Sequence, residues 1–174
     1  GHHKAEPYLS VPQIITQLRS RRAVAALALE FTILTAARTG EVIGATWNEI
    51  DIDRAVWTIS AERMKAGREH RVPLSNRAIE ILQNVKMLNA SHVFPGNKGG
   101  PLSQMAMSML LRRMKTDVTV HGFRSSFRDW AAESTIFPHE VCEMALAHAV
   151  AGRVEAAYRR GDLFEKRREL MADW

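Results

Sequence analysis

The chain leaves its helical hydrophobic period over one stretch, and that switch limits its architecture more than any other feature. Between Ile50 and Leu74 apolar residues alternate, whereas on either side they recur at three- and four-residue intervals. Within the switch Ile50 and Ile52 alternate, and Asp53-Arg54 supplies a turn. Val56 to Ser60 puts Trp57 and Ile59 on one face, and His70, Val72 and Leu74 alternate again after a loop over 61–69. The expectation is a mainly α domain carrying one small three-stranded antiparallel β-sheet. Before the sheet, helices are expected over Val11 to Arg19 and over Arg22 to Ala37, the latter with a seam of Val24, Leu27, Phe31 and Leu34. Arg38 then ends that run, Thr39 caps a further helix, and Glu41 lies in its first turn. After the sheet, Ser75 caps a helix to about Leu88. Ser103 caps another, with Met107, Leu110, Leu111 and Met114 apolar. A helix starting at Pro138 runs through Ala147, and Asp162 with Glu165 gives the capping-box pattern of a terminal helix.

Bulk composition narrows the class. The 174 residues are enough for one domain with a substantial core, and 46% of them are apolar, which excludes a disordered chain. A formal charge of +5 favours a polyanionic partner. Cys142 is the single cysteine, so there is neither a disulfide framework nor a cysteine zinc cluster, and a reducing compartment fits. The most apolar run, Ala23 to Ala37, is too short for a bilayer and contains Glu30, so no membrane role and a cytoplasmic location are expected. Residues 1–6, beginning Gly1-His2-His3, read as an artificial leader and linker, and 7–174 as the domain.

The chemistry-bearing stretch is Val118 to Glu133, VTVHGFRSSFRDWAAE. Wound as a helix, it puts Phe123, Phe127 and Trp130 on a buried seam. His121, Arg124 and Arg128 fall on another face, beside the positive end of the helix dipole. Such a turn suits a phosphate; a solvated basic face is the plain alternative. Arg38 sits at a junction of helices, Lys65 lies between Arg63 and Arg68 in the loop of the sheet, His148 ends a helix, and Tyr158 follows late. The set Arg38, Lys65, His121, Arg124, His148 and Tyr158 could surround one dianionic centre and includes a nucleophile. It has no carboxylates with which to hold Mg²⁺, and two histidines without a third ligand make a poor zinc site. The coherent reading is phosphoryl transfer with no metal and no cofactor.

These pieces resemble, in order, the catalytic domain of the tyrosine recombinases, or phage-type integrases, with its DNA breaking-rejoining fold. The likeness is to the branch found in satellite phages and genomic islands. It is carried by TAARTGEVIGATWNEID, ERMKAGREHRVPLS, HGFRSSFRDWA, LAH at 146–148 and EAAYRRGDLFEKRREL, spread from about residue 32 to 170. The resemblance implies that Arg38 and Arg124 clamp the scissile phosphate, with His121 and His148 as the two site histidines. It makes Lys65 the acid for the departing 5′-oxygen and Tyr158 the nucleophile, with Glu41 bracing the site. Two departures stand out. Ala147 occupies a position where many members have glycine, and one extra residue separates His148 from Tyr158, as in the satellite-phage branch.

The implied reaction is attack of Tyr158 on phosphorus to give a 3′-phosphotyrosine, reversed by another 5′-hydroxyl. The phenol, with a pKa of about 10, is activated by the two arginines and relays its proton to His121. The implied partners are double-stranded DNA attachment sites, contacted also by Arg63, Arg68 and Arg128, with a homotetramer on DNA in the full-length protein. The resemblance also implies that the N-terminal arm-binding and core-binding domains are absent from this chain, whose own oligomeric state stays open. The gene would be bacterial or phage-borne. Three competing readings remain: a non-catalytic helical DNA-binding module, a type IB topoisomerase-like enzyme, and a helical interaction protein with no nucleic-acid role.

Overall fold

The computed structural model describes residues 4–148 and 161–174. Ahead of the sheet lie α1 (Val11–Arg19), α2 (Val24–Thr35) and the short α3 (Thr39–Ile43). Strands β1 (Ile50–Asp51), β2 (Val56–Ile59) and β3 (His70–Pro73) pair antiparallel in that order. Then follow α4 (Asn76–Lys86), α5 (Ala106–Arg113), α6 (Gly122–Ser134), α7 (His139–Ala145) and, at the end of the chain, α8 (Phe164–Asp173). The expected mainly helical domain with one three-stranded sheet is what forms. No helix among the described residues is long and apolar enough to cross a membrane.

Helix α2 is the axis of the larger core. The expected seam proves too narrow: Phe31 is buried, but Val24, Leu27 and Leu34 are only half-buried, while Ala28, Leu29 and Ile33 are sealed. The cause is that α1, α4 and α5 all pack on this helix, so apolar residues are needed nearly all round it. Its buried polar groups are satisfied locally. Thr32 and Thr35 hydroxyls donate to the carbonyls of Ala28 and Phe31 at 2.7 and 2.8 Å. The sealed Glu30 carboxylate accepts from Arg77 at 2.7 and 2.9 Å and from Arg19 at 3.1 Å, which pins α4 and α1 to α2.

In the sheet Trp57 stands opposite Val72, and Ile59 opposite His70. Directly opposed residues share a face, so Trp57, Ile59, Val72 and His70 form the inner one. Trp57 is fully buried against Phe31, ring centroids 5.4 Å apart, and Phe94 packs on the same Phe31 at 5.3 Å.

A second cluster joins α6, α7 and α8 through Phe127, Val141, Cys142, Leu146, Leu170 and Met171. Trp174 ties it to the first: its indole packs on Phe127 and Trp130, and Nε1 donates to the Ile33 carbonyl at 2.7 Å. The start of α8 differs from the capping-box expectation. Leu163, in the left-handed region at φ 52°, precedes the helix, and Asp162 is occupied elsewhere, accepting two bonds of 2.8 Å from Arg71 on β3. Arg167, also sealed, donates to the Arg71 carbonyl at 2.6 Å and to that of Asp162 at 2.8 Å. The guanidiniums of Arg71 and Arg168 cover the Phe164 ring. Arg167 Nη2 also lies 3.2 Å from Asp162 Oδ2, and a carboxylate held by two arginines is not available to cap its helix.

The expected linker at 1–6 also needs correction, for residues 4–6 belong to the folded unit. Thr119 donates its amide to the Lys4 carbonyl at 2.9 Å, Ser126 donates to the Glu6 carbonyl, and Lys4 pairs with Asp117. A Cβ on Gly122 would come within 2.3 Å of the Lys4 carbonyl oxygen, so glycine in HGFR is what lets this strap lie against α6.

Candidate functional site

Arg38 owes its position to two adjoining backbone motifs. Helix α2 ends with Ala36 left-handed at φ 53°, the Ala36 amide bonded to the Ile33 carbonyl and the Ala37 amide to that of Thr32, both at 3.2 Å. This is a Schellman motif, here built on alanine. Two residues later α3 begins. Its N-cap is Arg38, not Thr39 as expected, because Glu41 reaches back to the Arg38 amide at 3.0 Å. The other oxygen of Glu41 accepts from Arg38 Nη1 at 3.3 Å. One buried carboxylate therefore fixes both the backbone and the head of Arg38.

Arg124 does not lie on a solvated basic face, the plain alternative for this stretch. His121 and Arg128 are exposed, but Arg124 is buried among Phe123, Ser126 and Phe127. Its Nη1 donates to the Ala36 carbonyl at 2.5 Å and its Nη2 to the Leu146 carbonyl at 2.6 Å. Those oxygens end α2 and α7, so one guanidinium closes the negative ends of two helices. The start of α6 is likewise not the open anion site expected. The amides of Gly122, Phe123 and Arg124 already bond to the carbonyls of Thr119, Val120 and His121, at 3.1 to 3.2 Å. A tight turn, joined by the Thr119 hydroxyl at 3.0 Å from the Gly122 amide, has consumed them.

His148 is held by a second Schellman motif. Its amide bonds to the Glu143 carbonyl at 2.9 Å and that of Ala147 to Met144 at 3.1 Å, with Ala147 at φ 56°. The imidazole Nδ1 lies 2.8 Å from Glu143 Oε2, and Nε2 lies 3.4 Å from Arg124 Nη2. This explains why glycine suits position 147: alanine there carries the left-handed penalty of about 1–2 kcal/mol. Ala147→Gly should therefore stabilise the chain by about 0.5–1 kcal/mol, after the greater freedom of unfolded glycine is deducted. Urea unfolding would register the gain, and a destabilised variant would contradict the motif.

Electrostatics sharpen the arrangement. Burial brings the Arg124 guanidinium down to about 10, and the neighbouring charge of Arg38 pushes the same way, against weaker support from Glu41 and Glu143. The two arginines repel each other, and their nearby carboxylates are already bonded to Arg38 and His148. An anion between them would relieve the repulsion. His70 belongs to this cluster and went unrecognised as a site residue in the sequence. Burial, then the charges of Arg167, Arg124 and Arg38, bring it down to about 4, so it is neutral at physiological pH. The available signal was its inward place in the β3 alternation.

The structure thus brings together Arg38, Glu41, Arg124 and His148, and adds His70 and Glu143. Lys65 and Arg68 are exposed in the β2–β3 loop, and His121 is the N-cap residue of α6. Arg63 has to be withdrawn as a DNA contact. Its guanidinium turns inward onto Glu49 at 2.7 and 2.8 Å and onto the Glu41 carbonyl at 3.0 Å. Tyr158 lies outside the described residues. Two caps closer to the sheet expectations also sort out: Ser75 caps α4 as expected, whereas Ser103 bonds the Met105 amide in the turn before α5.

The chain belongs to the phage integrase family, whose model matches residues 9–162. It is 36% identical to the prophage integrase IntA of Escherichia coli K12 over 148 residues, covering 82% of this chain and 36% of that protein. It is 30% identical to the integrase of Enterobacteria phage P4, covering 99% of this chain and 44% of that one. The chain therefore spans less than half the length of these relatives. Among solved structures, the catalytic core of lambda integrase superposes with a TM-score of 0.64 at 20% identity, over 86% of this chain and 94% of that one. Lambda integrase as a tetramer bound to a Holliday junction gives 0.65 at 19% identity, over 88% and 49%.

Proposed function

We propose that the chain is the catalytic domain of a site-specific DNA recombinase, cleaving and rejoining DNA through a 3′-phosphotyrosine at Tyr158. The observation that carries this reading is the Arg38–Arg124–His148 cluster, which gathers side-chain donors from the start of α3, from α6 and from the end of α7, as a phosphodiester passing to a more highly charged transition state requires. Arg38 and Arg124 bind the non-bridging oxygens, and His148 contributes a further donor. One preorganised donor of this kind is worth on the order of 10²–10³ in rate. Glu41 and Glu143 act by orienting Arg38 and His148. His121 accepts the phenolic proton, and Lys65 protonates the leaving 5′-oxygen. The product keeps the energy of the diester, so rejoining to another 5′-hydroxyl needs no nucleotide.

The partner in this reading is an attachment site in double-stranded DNA, with Arg68 and Arg128 on backbone phosphates. The wider protein would assemble as a tetramer, as lambda integrase does on a Holliday junction. Integration or excision of a phage or genomic island, in a bacterial cytoplasm, is the corresponding biology. The test is a nicked suicide duplex carrying the element's attachment core, run on a denaturing gel with peptide mapping of any adduct. A covalent adduct on the peptide containing Tyr158 is expected. An adduct on another residue would refute the nucleophile, and salt-sensitive binding with no adduct would leave a non-catalytic DNA-binding module.

A further inference from the structure

We propose that Arg63 is a positioning residue for Lys65, tying the turn that bears the lysine to the helix that carries the phosphate clamp. The inference deepens the recombinase reading and rests on it. In that reading Lys65 protonates the departing 5′-oxygen, so an ammonium on a long stem has to arrive beside a clamped phosphate. Lys65 is exposed, and its placing therefore falls to the residues that root its loop.

That root is held twice. Met64, immediately before Lys65, is buried in the larger core. The Gly67 amide bonds back to the Met64 carbonyl at 3.0 Å, with Gly67 at φ 69°, so Lys65 rides on a closed turn whose first residue is anchored. Arg63 supplies the second hold. Its Nε and Nη2 grip the two oxygens of Glu49 at 2.7 and 2.8 Å, and Trp57 Nε1 donates to the same carboxylate at 3.1 Å. With Glu49 only 12% exposed and Arg63 26%, this is no loose surface pair. Nη2 also donates to the Glu41 carbonyl in α3 at 3.0 Å. The Ala45 amide, which would reach that oxygen in a longer helix, bonds to Val42 instead.

Glu41 is the residue whose carboxylate holds Arg38, at 3.0 Å through the amide and 3.3 Å through Nη1. One guanidinium therefore links the lysine turn, two positions on, to the brace of a clamp arginine. Gly44, just beyond α3, leaves room for it: a Cβ there would run into Arg63 Nη1. During cleavage the P–O5′ bond breaks as the bond from Tyr158 Oη to phosphorus forms, and the electron pair left on O5′ takes its proton from Lys65. Without Arg63 the turn loses its tie to α3, while Arg38 keeps both bonds to the Glu41 side chain. The defect should fall on proton delivery to the leaving group.

The test is a leaving group that needs no proton. Sulfur replaces the bridging O5′ in a suicide duplex, at the bond that wild type cleaves. A thiol has a pKa of about 8.5, far below that of an alcohol, so it departs as its anion and a general acid contributes little. Arg63→Gln and Lys65→Ala are compared with wild type on the oxygen and sulfur duplexes. Arg63→Gln should form adduct about 10- to 100-fold more slowly on the oxygen duplex, with affinity changed by less than about threefold. On the sulfur duplex it should return to within about threefold of wild type, as Lys65→Ala should. Gly44→Ala displaces the guanidinium while every charge stays. It should show the same pattern with a loss of about 3- to 10-fold, and it decides if Arg63→Gln fails to fold. Equal losses on both duplexes would make Arg63 a structural residue only, and wild-type cleavage of the oxygen duplex would make it idle. Either outcome overturns this proposal alone. A Lys65→Ala defect that sulfur does not relieve would remove the acid, and this inference with it. Absence of any Tyr158 adduct in the wild-type chain would instead sink the recombinase reading.

Discussion

Arg124→Lys is expected to lower adduct formation on the suicide duplex by about 10²–10³ while duplex affinity changes only a few-fold. The lysine keeps the charge, so long-range attraction to DNA survives. What it cannot keep is the fork. Arg124 holds the Ala36 carbonyl with Nη1 and the Leu146 carbonyl with Nη2, with the His148 ring 3.4 Å away on the same nitrogen. One ammonium at the end of a flexible stem cannot span those positions and also face a phosphate. The ends of α2 and α7 would lose their common tie, and with them the spacing between Arg38, two residues beyond Ala36, and His148, two beyond Leu146. Arg124→Ala should be worse in another respect. It leaves two buried carbonyls without a donor, at about 1–3 kcal/mol each, so part of its effect is lost stability. Comparing the two variants by urea unfolding and by single-turnover cleavage separates the roles. Lysine should cost mainly rate, and alanine both. A lysine variant that cleaves like wild type would mean that the fork is structural and the phosphate is clamped elsewhere.

That dual role also explains what the sequence could and could not disclose. The i, i+3, i+7 spacing of His121, Arg124 and Arg128 gives an angle around a helix, but not what lies opposite. The oxygens that draw Arg124 inward come from the ends of α2 and α7, remote in the chain. Likewise Arg63, Lys65 and Arg68 look equivalent in one polar loop. Only the fold brings Glu49 next to Arg63 and leaves the others exposed. Where the physics is local, the reading carried through. The switch of period located the sheet, and Ser75 was legible as a cap. The Arg38–Glu41 pair was legible as a helix start with its cap misplaced by one residue, because a carboxylate three positions on can bond the N-cap amide whatever side chain that residue bears. His70 lies between these cases. Its inward register was readable from the alternation, but its three arginine neighbours belong to α3, α6 and α8.

The burial of His70, and after it those arginine charges, should make the free chain acid-labile in a defined window. His70 titrates near 6.5 when unfolded and about 4 when folded. Between these values the unfolded chain binds more protons at this site, so unfolding becomes easier as pH falls. The stability associated with His70 is intact above about 6.5 and is lost progressively toward 4, by about 3 kcal/mol in all. Asp162 acts lower down. Its bond to Arg71 depresses its titration, so its contribution persists through that window and disappears only in stronger acid. Urea midpoints measured from neutral pH to pH 4 would trace the first loss, and His70→Asn should flatten it, having no proton to take up. A wild-type chain whose midpoint stays level across that range would show that burial and the arginines together do not hold His70 neutral. A steep fall that persists in His70→Asn would assign the acid sensitivity to another group.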